Sequence, residues 1–163
     1  MDLFKRKTRI LLVCTENICR SPMAEGLLKH YLAEMGLAKS VQVASAGTQA
    51  NQPGLRPDTR AQKIAARSGI DISRVRARRI TDRDFERSDM IVAMDTNNLE
   101  YLEKTCPPLE RDKLSLLLSY AEGGEGRDVP DPYYGSTEGF ESVFEIIDAA
   151  IYELVPHIAR LIE

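Results

Sequence analysis

Four short apolar runs alternate with segments of helical period, and this alternation constrains the fold more than any other feature of the chain. Ile10 to Val13 is continuously apolar and suits a strand buried on both faces. Val41 to Ala44, Met90 to Met94 and Leu114 to Leu118 read as three further strands. Between the first two, Ala24, Leu27, Leu28, Tyr31, Leu32 and Met35 recur at steps of three and four, and Gly36 closes the helix. Pro57 opens a second helix carrying Ala61, Ile64 and Ala65, ended by Gly69. Asp95 is placed to cap a helix through Leu99 and Leu102. Phe140, Val143, Phe144, Ile147, Ile151 and Leu154 form one stripe of a C-terminal helix, which Pro156 either kinks or follows with a last short turn. Strands in alternation with helices predict an α/β domain with a parallel sheet, whose ligands bind beyond the carboxyl ends of the strands.

At 163 residues and 43% hydrophobic content, the chain suits one domain spanning 1–163. A net charge of −3 recommends neither a nucleic-acid nor a membrane partner. The start, Met1-Asp2-Leu3-Phe4-Lys5-Arg6-Lys7, lacks the apolar stretch of a signal peptide, and no later segment is suited to span a bilayer. Three cysteines do not suggest a disulfide framework and fit a reducing cytoplasm. Two histidines and no Cys-x-x-Cys pair predict no metal site, and no cofactor is expected. Nothing in the sequence sets the oligomeric state. Thr48 to Arg56 and Tyr120 to Ser136 read as long loops, the second broken by Gly123, Gly124, Gly126, Pro130, Pro132 and Gly135.

The chemistry concentrates where the first strand ends. Cys14 closes the apolar run, Arg20 and Ser21 open a helix, and Pro22 suits its first turn. The five residues between, Thr15, Glu16, Asn17, Ile18 and Cys19, form a tight loop whose backbone N–H groups can converge on one anion. Arg20 adds a bidentate fork for two phosphate oxygens. The same field favours the thiolate of Cys14, and Ser21 can donate a hydrogen bond to that sulfur. Asn17 tolerates a left-handed backbone and braces the loop through its amide.

Val13-Cys14-Thr15-Glu16-Asn17-Ile18-Cys19-Arg20-Ser21-Pro22 resembles the phosphate-binding loop of the low-molecular-weight protein tyrosine phosphatases. Ser45-Ala46-Gly47-Thr48 resembles that family's second-strand exit, and Asp131-Pro132-Tyr133-Tyr134-Gly135 its general-acid loop. Spacing and element order agree from about Arg9 to the final helix. The resemblance implies a three-layer α/β sandwich of flavodoxin-like topology, with a four-stranded parallel sheet and helices on both faces. It also implies hydrolysis of phosphotyrosine in proteins, with Cys14 as nucleophile, a phosphocysteine intermediate and Asp131 as general acid, without a metal. Cys19 is implied to form a reversible disulfide with Cys14 under oxidation. Tyr133 and Tyr134 are implied as one wall of the substrate site and as phosphorylation targets.

Two departures stand out. Glu16 occupies a position where many members carry glycine; its side chain is expected to turn to solvent as a rim residue that repels acidic substrates. The family's aromatic wall residue is missing, Asn51 falls near its place, and the loss removes about 0.5–1.5 kcal/mol of stacking. Asp128 is expected to be an ordinary surface carboxylate, and Arg74, Arg76, Arg78, Arg79, Arg83 and Arg87 a solvated, salt-bridged face. Rival functions are a protein-arginine phosphatase, whose loop usually carries threonine where Ile18 stands, an arsenate reductase, which needs relay cysteines, and an inactive phosphoresidue-binding module.

Overall fold

The computed structural model describes residues 5–124, 126–133, 135 and 137–163. In chain order the elements are β1 (Thr8–Cys14), α1 (Arg20–Glu34), β2 (Val41–Gly47), α2 (Thr59–Arg67), α3 (Asp82–Arg87), β3 (Met90–Ala93), α4 (Thr96–Thr105), β4 (Leu114–Leu116) and α5 (Thr137–Ile162). Two 3₁₀ turns, Pro108–Lys113 and Leu117–Tyr120, flank β4.

The strands form one parallel sheet in the order β2-β1-β3-β4, with Thr8 to Cys14 in register with Val41 to Gly47 and Ile10 to Val13 with Met90 to Ala93. Side chains of a strand alternate between faces, and β1 divides its apolar run accordingly. Ile10 and Leu12 pack into a core with α1, α2 and α5. Leu11 and Val13 pack on the other side with Phe85 of α3 and Leu102 of α4. This three-layer arrangement explains why β1 reads as unbroken hydrophobicity. It also leaves a crevice beyond the carboxyl ends of β1 and β3, where the strand order reverses.

Some boundaries differ from the sequence expectation. β4 ends at Leu116, and Leu117 and Leu118 turn into the 3₁₀ segment while staying buried, so burial alone did not mark strand. Met94 has left β3, although its N–H still bonds to the Val13 carbonyl. α2 starts after Pro57, with Asp58 as N-cap accepting from the Arg60 N–H. Met35 lies past the end of α1 and is 56% exposed, so it belongs to no core stripe. α5 continues through Pro156 to Ile162. The proline removes an i→i−4 bond to the carbonyl of Tyr152, a residue on the exposed side, so the helix persists. α3 was hidden among charges: one turn and a half, capped by Thr81 and Asp84 and inserting only Phe85.

Candidate active site

Cys14, at the end of β1, is 3% exposed, and the chain then makes five bends before α1 begins at Arg20. The bends are possible because Asn17 takes a φ of 60°, a conformation asparagine tolerates better than most residues. Its fully buried amide is satisfied on every side. Nδ2 donates to Ser21 Oγ at 2.8 Å and to Ser45 Oγ at 2.9 Å, and Oδ1 accepts from the Arg78 N–H at 3.1 Å. This assigns the contact between Ser21 Oγ and Cys14 Sγ, at 3.0 Å. Because Ser21 Oγ accepts from Asn17, its own hydrogen is free to point at the sulfur.

Gly47 lets β2 run close to the loop: a Cβ there would stand 2.5 Å from the Thr15 carbonyl oxygen. The Thr48 N–H donates to the Cys14 carbonyl and the Gln49 N–H to that of Thr15. The carbonyls at the start of the loop are thus fastened to the segment that leaves β2. Among the described residues, none of the backbone N–H groups of residues 15–20 donates to another protein group.

Arg20 is 2% exposed, and a buried guanidinium needs partners. Nη1 donates to Asp95 Oδ2 at 2.6 Å and to the Val129 carbonyl at 3.0 Å. Nη2 lies 3.4 Å from both Thr15 Oγ1 and Asp131 Oδ2. Burial alone would make Arg20 easier to deprotonate; the charges of Cys14, Asp95 and Asp131 outweigh it and hold the guanidinium above its ordinary value. Asp95 also caps α4 by accepting from the Asn98 N–H, and Asn98 Nδ2 donates to Thr15 Oγ1.

Cys14, Thr15, Glu16, Ile18, Cys19, Arg20, Asn51, Asp131 and Tyr133 line one cleft of about 400 Å³. Asn17 and Ser21 do not line it and act from behind the loop. Tyr134 lies outside the described residues. Cys19 occupies the N-cap position of α1 as a buried free thiol with no side-chain capping bond of its own; burial, then the charges of Asp58, Cys14 and Asp131, pushes it far above the ordinary thiol value. Asp131 stands at the mouth, its side chain 47% exposed, and accepts from the Tyr133 N–H at 3.0 Å.

One expectation is corrected. Glu16 does not turn to solvent: its carboxylate is held by the Asn51 N–H at 2.8 Å and the Asn51 side-chain amide at 2.9 Å. Asp128 is an exposed surface residue as expected, and it accepts from the N–H and hydroxyl of Thr96 at the start of α4. The arginine face is salt-bridged at Arg78, which forks onto Asp84, and the backbone of Arg78 additionally braces Asn17.

Sequence reasoning missed Gln49, Gln52 and Leu55 in the cleft wall, and Asp95 as a partner of Arg20. Only Asp95 carried a signal, an acid at the carboxyl end of a central strand. Among the described residues no group of three or more His, Cys, Asp or Glu is placed to hold a metal ion, and no helix is long and apolar enough to cross a membrane.

Residues 9–162 match the family model for low molecular weight phosphotyrosine protein phosphatase. The chain is 39% identical over 159 residues to a low molecular weight protein-tyrosine-phosphatase of Streptomyces coelicolor, covering 95% of this chain and 96% of that protein. The crystal structure of YfkJ from Bacillus subtilis superposes with a TM-score of 0.90 at 34% identity, covering 97% and 98% of the two chains. The arginine phosphatase YwlE superposes with a TM-score of 0.86 at 28% identity, covering 96% and 100%. By the extent of the match and the conformity of the whole framework, the chain belongs to the low-molecular-weight phosphotyrosine protein phosphatase family.

Proposed function

We propose that the protein, acting as a single phosphatase domain in the reducing cytoplasm, hydrolyses phosphotyrosine in phosphoproteins through a phosphocysteine intermediate. The observation that carries this reading is the pairing of uncommitted loop N–H groups with a cysteine whose sulfur faces the Ser21 hydroxyl. Three phosphoryl oxygens sit against those N–H groups and Arg20, which neutralise charge through the transition state. Cys14 attacks phosphorus as the thiolate and the bond to the phenolic oxygen breaks. Asp131, protonated at this stage, passes its proton to that oxygen, leaving phenol and S-phosphocysteine. Water then attacks phosphorus, Asp131 takes a proton from it, the P–S bond breaks, and inorganic phosphate departs with the thiolate restored.

Ile18, Leu55 and Tyr133 give the cleft an apolar side for an aromatic ring despite the missing aromatic at Asn51. Phosphoarginine is the competing substrate, because YwlE shares the fold. The test measures phosphotyrosine peptide and phosphoarginine hydrolysis by wild type, Cys14→Ser and Asp131→Asn. Peptide turnover abolished by the first variant and lowered about 10²–10⁴-fold by the second is expected. Preferred phosphoarginine turnover overturns the substrate, and absence of turnover leaves a phosphoresidue-binding module.

A further inference from the structure

Asp131 needs a fixed station above the phosphate loop, and the described residues of the segment carrying it, between Ala121 and Gly135, are irregular. On its near side the segment is tied down twice. Asp128 accepts from Thr96, and Val129 donates its N–H to the Met94 carbonyl while its own carbonyl accepts from Arg20. On its far side the tie comes from α2, from a residue outside the cleft. Arg60 Nη2 donates to the Tyr133 carbonyl at 3.0 Å and Nη1 to the Gly135 carbonyl at 3.2 Å.

The guanidinium is itself immobilised. Its Nε and Nη2 fork onto the two oxygens of Asp58 at 3.0 and 2.9 Å, and its centre stacks 4.4 Å above the Phe140 ring. Asp58 in turn gives its backbone N–H to the Ile18 carbonyl at 2.8 Å. A continuous hydrogen-bonded strut therefore runs from the phosphate loop at Ile18, through Asp58 and Arg60, to the acid loop at Tyr133 and Gly135. A lysine cannot replace it, because one ammonium has neither the fork for the carboxylate nor the reach for two further carbonyls.

We propose that Arg60 is a positioning residue for the general acid, setting the distance between the phosphate loop and Asp131. The inference rests on the reaction described under Proposed function. A general acid works only within hydrogen-bond reach of the leaving oxygen, so slack between the two loops removes proton donation while leaving sulfur attack in place. The pair is partly exposed, so its contribution lies in geometry and not in charge.

The test compares kcat/KM for aryl phosphates whose phenols range from acidic, p-nitrophenol, to weakly acidic, unsubstituted phenol. Arg60→Ala lowers kcat/KM about tenfold or more for phenyl phosphate and no more than about threefold for p-nitrophenyl phosphate. Arg60→Lys shows the same selectivity at smaller amplitude. On an Asp131→Asn background, Arg60→Ala produces no further leaving-group dependence. Asp58→Asn, which keeps Arg60 but breaks its fork, gives the same signature and serves if Arg60→Ala does not fold. Equal losses for all leaving groups, or additive losses on the Asp131→Asn background, overturn the proposal. If Asp131→Asn alone shows no leaving-group dependence, it is the acid assignment that fails, and the two failures are distinguishable.

Discussion

Glu16 and Asn51 are joined by two hydrogen bonds, from the Asn51 N–H at 2.8 Å and from its side-chain amide at 2.9 Å. This answers why a loop built for an anion tolerates a carboxylate. Both carboxylate oxygens are turned sideways onto Asn51, and the residue joins the loop that follows Cys14 to the segment that follows β2. A double-mutant cycle of Glu16→Ala and Asn51→Ala, followed by urea unfolding, gives a coupling of about 0.5–1 kcal/mol, and strict additivity refutes the latch. The charge itself stays unneutralised. Glu16→Gln therefore raises the kcat/KM ratio of acidic-flanked to basic-flanked phosphotyrosine peptides about threefold at low salt, with the effect fading near 1 M salt.

Asn17 secures the turn and also orients the proton on Ser21. Asn17→Ala leaves two serine hydroxyls and the Arg78 N–H without their partner and keeps a left-handed backbone without the residue that tolerates it. A loss of about 3 kcal/mol in urea-derived stability is expected. Ser21→Ala removes only the hydroxyl at the sulfur and lowers kcat about tenfold with a smaller stability change. Unchanged kcat in Ser21→Ala counts against a hydrogen bond to Cys14.

Tyr31, on α1, donates its hydroxyl to Asp148 of α5. Burial, reinforced by that bond and the nearby negative charges, pushes the Tyr31 hydroxyl from 10.0 up to about 12. The folded value is raised, so this contribution to stability is complete below about pH 10 and is lost as pH rises through about 12. In an absorbance titration of tyrosinate the component that ionises near pH 12 disappears in Tyr31→Phe. An identical high-pH limb in wild type and variant contradicts the link.

Cys14 and Cys19 are both buried free thiols lining the same cleft. Burial holds Cys19 in the protonated form, so alkylation at pH 8 labels Cys14 and spares Cys19, as peptide mass spectrometry reads directly. If the disulfide implied by the family resemblance forms, the sulfenic acid that peroxide makes on Cys14 condenses with the Cys19 thiol with loss of water. After peroxide and then dithiothreitol, wild type recovers activity several-fold better than Cys19→Ser. Equal recovery eliminates the protective bond.

Much of the fold is legible in the amino-acid sequence. Continuous apolar runs such as Ile10 to Val13 and the stripe from Phe140 to Leu154 are short-range patterns, and burial on a sheet or along a helix imposes them directly on neighbouring residues. The loop from Cys14 to Ser21 was legible for the same reason, since its cysteine, its amides and its arginine are contiguous. Short elements were not: α3 buries one side chain, and the 3₁₀ turn after β4 looks like strand by hydrophobicity alone.

The partners of those loop residues were decided only when the chain closed on itself. Glu16 meets Asn51 35 residues away, Asn17 meets Arg78 across 61, and Arg20 meets Val129 across 109. No periodicity links such positions, because each is set by how a connecting loop packs and not by the pitch of a helix or the pleat of a strand. The sequence determined that this protein has a parallel α/β sheet and a cysteine–arginine loop at its crevice. Tertiary structure decided which carboxylates face the arginine, which amide turns the serine, and how Arg60 reaches the acid loop, because buried polar groups take whatever complementary partner the closed chain brings within hydrogen-bond reach.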